Sequence, residues 1–329
     1  MDGMADFDRV AAQVRNWGRW GAEDEQGTLN FITSDKVRDS AELVRTGTVF
    51  PLGIPLGADG PQGIFKFRTN PVHLMTVDGG DATHFADQAR NWTANPSAQV
   101  MAGIFDASRF RFNDDYIMMP LQAGTQWDAL SHAYYDDQLY NGFPAQSVTS
   151  QGAVRCGIDK VDGKGIVSRG VLLDVVRHRG GGTALEHGKQ VTPEELDEVA
   201  QAQGVTIGRG DIVLIRTGWW NRFLETGEPG TEVAGLNWRC ALWFHDLEVA
   251  AVASDNIAVE DLESGVEGMF LPLHCLCLRD MGLTLGEYWD LTALAADCAA
   301  DGIYDFQLVA PPLRVTGGVG SPLNPLAIK

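Results

Sequence analysis

Asp211-Ile212-Val213-Leu214-Ile215-Arg216, bounded by Gly210 and Gly218, is an apolar run of strand length between two glycines. It does not alternate apolar with polar, so both faces of the strand must be covered. Two further runs share that character. One is Val171-Leu172-Leu173-Asp174-Val175-Val176, behind Arg169-Gly170; the other is Val249-Ala250-Ala251-Val252-Ala253, ending at Ser254-Asp255-Asn256. Helical patterns lie between them. Thr192-Pro193-Glu194-Glu195 is a capping box with proline at the first helical position, which predicts a helix over 193–203 that stops at Gly204. Asn237 to Leu247 and Glu287 to Ala300 also carry helical spacing, the second ended by Gly302. Buried strands alternating with helices over 169–310 give an α/β class. The first 130 residues are richer in short strand-and-turn segments.

The length of 329 residues fits two domains or one large α/β domain, and no linker, repeat or low-complexity tract divides the chain. Lys and Arg number 25 against 44 Asp and Glu, a net charge of −19. That surface repels a phosphate backbone, so neither nucleic acid nor an anionic membrane is an expected partner. No apolar run approaches the length of a membrane span, and the acidic N-terminal stretch lacks the pattern of a signal peptide. The five cysteines, Cys156, Cys240, Cys275, Cys277 and Cys298, are too sparse for a disulfide framework. A cytoplasmic location is expected.

The densest polar cluster is Gln122-Ala123-Gly124-Thr125-Gln126-Trp127-Asp128-Ala129-Leu130-Ser131-His132. An extended chain puts Gln122, Gln126 and Asp128 on one face, and a helical turn beyond would bring His132 to Asp128. A carboxylate beside a histidine serves general acid–base catalysis or a metal site. The same residues also suit a strand that ends in a capped turn. His274-Cys275-Leu276-Cys277 suggests zinc at first sight. Read as a strand, it sends His274 to one face and both cysteines to the other, so the three cannot share an ion. His274 is left free for another site, with Glu287 of the next helix as a partner. His73 and His84 lie in a loop-rich region that could line a pocket. Gly317-Gly318-Val319-Gly320 is followed by no helix, so it is no phosphate loop.

Gly124-Thr125, Asp128 and His132 resemble the motif His-x-Gly-Thr-His-x-Asp-x-Pro-x-His of the cyclase family, which includes kynurenine formamidase and isatin hydrolase. Trp20 to Asn30, Arg209 to Gly218, Val252 to Asn256 with Glu260, and Gly317 to Pro322 are similar to further family segments in the same order. The resemblance implies a single swivelling β/β/α domain over 1–329, with 1–50 as an N-terminal extension packed on it. It also implies a homo-oligomer, a dimer or tetramer. Carried over, Asp128 is a metal ligand and His132 the acid/base, while His274 and Glu287 help to hold metal. The motif's two ligand histidines are Gln122 and Gln126 here, and its proline is Leu130. Glutamine is a neutral, hard oxygen ligand and a poor substitute for imidazole toward zinc. A divalent ion, manganese or zinc, is still the expected cofactor.

The leading expectation is a hydrolase that opens a small cyclic amide, imide, lactam or lactone. Trp127, Tyr134 and Tyr135 are the candidate walls for a flat substrate ring, with core packing as the alternative for each. The other readings are a cyclase or dehydratase of a polyketide-like carbonyl compound, and a small-molecule binding protein that has lost its metal.

Overall fold

A computed structural model describes residues 3–80, 96, 99–100, 103, 109–161, 165–231, 233–263 and 265–329. His84 and much of the loop that follows it lie outside these residues. The strands in chain order are β1 Val49–Pro51, β2 Val72–Val77, β3 Asp114–Met118, β4 Gln126–Asp128, β5 Val148–Thr149, β6 Gly152–Ala153, β7 Val167–Asp174, β8 Ile212–Arg216, β9 Ala251–Ser254, β10 Thr284–Glu287, β11 Asp305–Val309, β12 Gly320–Pro322 and β13 Leu326–Ile328. Nine of them form one mixed sheet in the order β1-β13-β11-β7-β8-β9-β10-β4-β12. The centre, β7-β8-β9-β10, is parallel and both flanks are antiparallel. β2 and β3 form a separate two-stranded ribbon.

The apolar runs become strands covered on both faces. Val171 and Leu173 enter one core with Val213, Ile215 and Val252; Leu172 enters the other with Ile212, Leu214 and Ala251. That is the period-2 division of a strand between two buried layers. The helix Pro193–Gln203 begins where its capping box predicts, with the Thr192 side chain accepting from the Glu195 amide, and ends at Gly204 in the left-handed region. The helix read from Asn237 is Cys240–Asp246.

Three local readings are corrected. The strand read as far as Val176 turns helical at Val175–His178, where Asp174 caps the turn by accepting from the Arg177 amide. The stretch around His274 is helical: Pro272–His274 continues into a π-helical segment, Cys275–Met281. Cys275 and Cys277 are buried there as core residues, and all five cysteines are free. Glu287 is the last residue of β10, parallel to β9, and the helix after it starts only at Thr292.

The first fifty residues are tied to this frame. Helix Met4–Val14 buries Phe7, Val10 and Val14 in the larger core. Arg15 pairs with Asp280, the Trp17 indole donates to the Arg279 carbonyl, and the Thr28 hydroxyl donates to the Ala250 carbonyl. Among the described residues no helix is long and apolar enough to cross a membrane.

Candidate active site

β4 supplies the middle of the site. In a strand, Gln126 and Asp128 point to one face and Trp127 to the other. Trp127 is fully buried, stands edge-on to Trp289 at 4.8 Å between ring centres, and donates to the Ala310 carbonyl. It is a core residue, so the expectation that it walls a substrate ring is corrected. β4 lies between β10 and β12, which places Glu287 directly opposite Gln126. Thr125 and Thr284 lock the register: the Thr284 hydroxyl donates to the Asp128 carbonyl, and that of Thr125 to the Tyr288 carbonyl.

His274 reaches the same place from the helix in front of the sheet. Its Nδ1–H and backbone N–H both donate to Glu260 Oε1, at 2.6 and 2.8 Å, and the Leu273 amide donates to Glu260 Oε2 at 2.9 Å. Its Nε2 lies 3.2 Å from Glu287 Oε1 and 3.8 Å from Asp128 Oδ2. The Gln126 amide bridges the two carboxylates, donating to Glu287 Oε2 at 2.8 Å and to Asp128 Oδ1 at 3.2 Å. Beyond β4 the chain turns without becoming a helix, and His132 Nε2 comes to 3.8 Å from Asp128 Oδ1. Its side chain stays 21% exposed, while that of Asp128 is fully buried, so His132 forms the accessible side of the cluster. Gln122 sits in the turn before β4, its amide against Gly320, which faces Asp128 across the β4–β12 ladder.

Tyr135 does not reach the cluster. Its hydroxyl donates to Asp280 Oδ2 at 2.7 Å, and the Arg279 guanidinium lies over its ring, so its role as a ring wall is corrected too. Tyr134 is exposed. His73 pairs with Asp115 across the exposed ribbon. The motif reading places Glu260 only within a family-like segment and gives it no role; Glu260 gains its role by accepting from the Leu273 and His274 amides, thirteen and fourteen residues further on.

Burial raises the Asp128 pKa to about 6; the neighbouring histidines oppose the rise and Glu287 adds to it. Burial lowers His132 below the usual histidine value, against the pull of Asp128. Burial also disfavours the charged form of His274, but its hydrogen bonds to Glu260 and Glu287 and their charges outweigh this and raise it to about 10.

The residues fit a divalent ion. Asp128, His274 and Glu287 offer ligand atoms that all lie within 4.8 Å of one another. Asp128 Oδ2 and Gln126 Oε1 are buried without a hydrogen-bond partner. A half-turn of the Gln126 amide would present that oxygen to the cluster. Glu260 behind His274 completes the carboxylate–histidine–metal arrangement that orients an imidazole ligand. One nitrogen among oxygens suits manganese or magnesium better than zinc.

A family model described as a putative cyclase matches residues 52–261. A crystal structure described as a novel cyclase is 38% identical and covers 97% of this chain and 99% of its own, with a TM-score of 0.81. Isatin hydrolase A from Labrenzia aggregata, bound to benzyl benzoate, is 16% identical, with a TM-score of 0.58 over 87% of this chain and 94% of its own. A predicted metal-dependent hydrolase from Bacillus stearothermophilus is 15% identical, with a TM-score of 0.51 over 85% of this chain and 97% of its own. These last two show a shared fold. No curated protein matches the chain.

Proposed function

Because the chain belongs to the cyclase family, we propose that it is a hydrolase that opens a small cyclic amide, imide, lactam or lactone. The observation that carries this reading is the pairing of a buried Asp128–His274–Glu287 cluster with a partly exposed histidine, His132, 3.8 Å from Asp128. A base must be neutral to work, and burial keeps the His132 imidazole neutral near pH 7. In ring opening, His132 accepts a proton from the attacking water as the C–O bond forms. It then delivers that proton to the nitrogen or oxygen that leaves as the ring bond breaks. Asp128 holds the imidazole by charge and stabilises its protonated form. Glu260 fixes the His274 ring so that its Nε2 faces Asp128 and Glu287. When bound by Asp128, His274, Glu287 and the Gln126 oxygen, a divalent ion supplies a Lewis acid for the carbonyl.

The isatin hydrolase and the predicted metal-dependent hydrolase that share this fold support the reaction class. The ribbon supports a homo-oligomer of two or four copies. Two strands alone are marginal in water, and this pair exposes Val72, Leu74, Met75, Tyr116, Ile117 and Met118. The test is a panel of cyclic amides, imides and lactones, assayed with the protein as purified and after EDTA, with elemental analysis of both. Ring opening that disappears in His132→Ala, with an unchanged melting temperature, is the expected result. Normal turnover by that variant rules the mechanism out. A second reading, binding without turnover, is favoured by one observation: the Gln126 N–H groups already bridge Asp128 and Glu287. It predicts ligand binding with no ring opening at any metal supplement.

A further inference from the structure

The loop 57–70 is tied to the stretch that leads into β4. The Gln62 amide N–H donates to Asn70 Oδ1 at 2.8 Å, and the Asn70 side-chain amide donates to the Ala58 carbonyl at 2.9 Å. The Gln62 side chain donates to the Ala123 carbonyl at 3.1 Å, beside Gln122, and so ties the loop to the motif. The loop carries Arg68, whose amide donates to the Phe65 carbonyl at 3.0 Å. Phe65 and Phe67 stack at 5.5 Å with an interplanar angle of 23°. The Arg68 guanidinium lies 5.6 Å from one ring centre and 5.9 Å from the other.

Arg68 is partly buried, and among the described residues no carboxylate lies within ion-pair distance of it. Elsewhere in the chain, partly buried guanidinium groups are paired: Arg15 with Asp280, Arg155 with Glu25, Arg179 with Glu195 and Arg216 with Asp174. A partly desolvated cation without a counter-ion is costly unless a ligand supplies the anion. The Arg68 charge lowers the pKa values of Asp128, His132 and Tyr288, so it acts on the acidic cluster. Tyr288 follows Glu287 directly and is buried in the left-handed region, at φ +58°. Gln62, on the same loop, donates to the Ala123 carbonyl in the stretch that leads into β4.

We propose that Arg68 forms an anion subsite at the rim of the cluster, holding a planar carboxylate whose flat body lies along the Phe65–Phe67 pair. This deepens the hydrolase reading and rests on it for the identity of the ligand: ring opening of a cyclic amide or lactone leaves a carboxylate. That carboxylate would otherwise face Asp128 and Glu287 and be repelled. A guanidinium is suited to this task because its paired N–H groups match the two oxygens.

The probes are benzoate and its uncharged isostere benzamide, titrated calorimetrically into the full-length protein and into Arg68→Gln, Arg68→Lys and Tyr288→Phe. The expected result is a benzoate Kd at least tenfold weaker in Arg68→Gln and about threefold weaker in Arg68→Lys, with benzamide changed less than twofold. An equal loss for both probes, or benzoate binding that survives Arg68→Gln, overturns the proposal, as does a wild type that does not prefer benzoate. The two readings fail separately. Benzoate held by Arg68 in a protein that opens no ring keeps the subsite and removes the hydrolase. Turnover unaffected by Arg68→Gln or by benzoate keeps the hydrolase and removes the subsite.

Discussion

Glu260→Gln changes one charge at the back of the site and leaves the size of the side chain almost unaltered. Glu260 is 1% exposed and accepts three hydrogen bonds, from His274 Nδ1–H, the His274 amide and the Leu273 amide. A glutamine offers one oxygen. That oxygen can keep the two His274 bonds, and the new NH2 group then meets the Leu273 N–H donor to donor. Losing charge assistance on two bonds costs about 1 kcal/mol each, and losing the third with its amide left unpaired costs about 1–3 kcal/mol more. The sum is about 3–5 kcal/mol. At about 2 °C per kcal/mol for a chain of this size, the metal-free variant should melt about 6–10 °C below the wild type. Metal affinity should fall about 10–100-fold, because the imidazole is no longer oriented from behind. Differential scanning calorimetry gives the first number and metal titration the second. A melting temperature within 1 °C of wild type, with unchanged metal affinity, would refute the reasoning.

Two other outcomes are expected. Gly27 stands at φ +56° with its α-carbon against the Gly282 carbonyl, so Gly27→Ala forces a methyl group into backbone and should lower stability by about 3 kcal/mol or more; an unchanged urea midpoint would contradict this. His274 is held protonated to about pH 10, yet ligation needs its Nε2 free, so metal binding should release about one proton and log K should rise by about one per pH unit between pH 7 and 9; calorimetry in buffers of different ionisation enthalpy that finds no proton release would remove His274 as a ligand.

The sequence made the parallel centre legible because its strands are apolar on both faces, as at 171–173 and 212–215. It made the helix from Pro193 legible because capping chemistry is local. The stretch Leu271 to Met281 was misread for a physical reason. Pro272 to Leu278 is apolar apart from His274, and burial from Pro272 to Met281 removes the periodicity that separates a strand from a buried helix. Glu287 was misplaced because the apolar spacing of the helix at Thr292 extends backwards into β10. Asp128 and His132 could be read because they share one short motif. The role of Glu260 could not: it appears only when the chain brings Glu260 beneath the helix turn of His274.

Gln126 shows how one departure from the family motif is accommodated. Asp128 and Glu287 are buried side by side, and like charges that close repel strongly in a medium of low polarity. Something must donate to both. A neutral imidazole at position 126 has one N–H and satisfies one carboxylate. The glutamine amide has two and satisfies both without adding a charge, at 2.8 and 3.2 Å. The protonated His274 supplies the positive charge that the pair still needs. Hydrogen bonds thus hold Asp128, Glu287 and Gln126 in one arrangement. Turning one amide and releasing one proton would convert it into an oxygen-rich ligand set. A histidine at 126 would favour zinc. A glutamine oxygen is a harder ligand than an imidazole nitrogen.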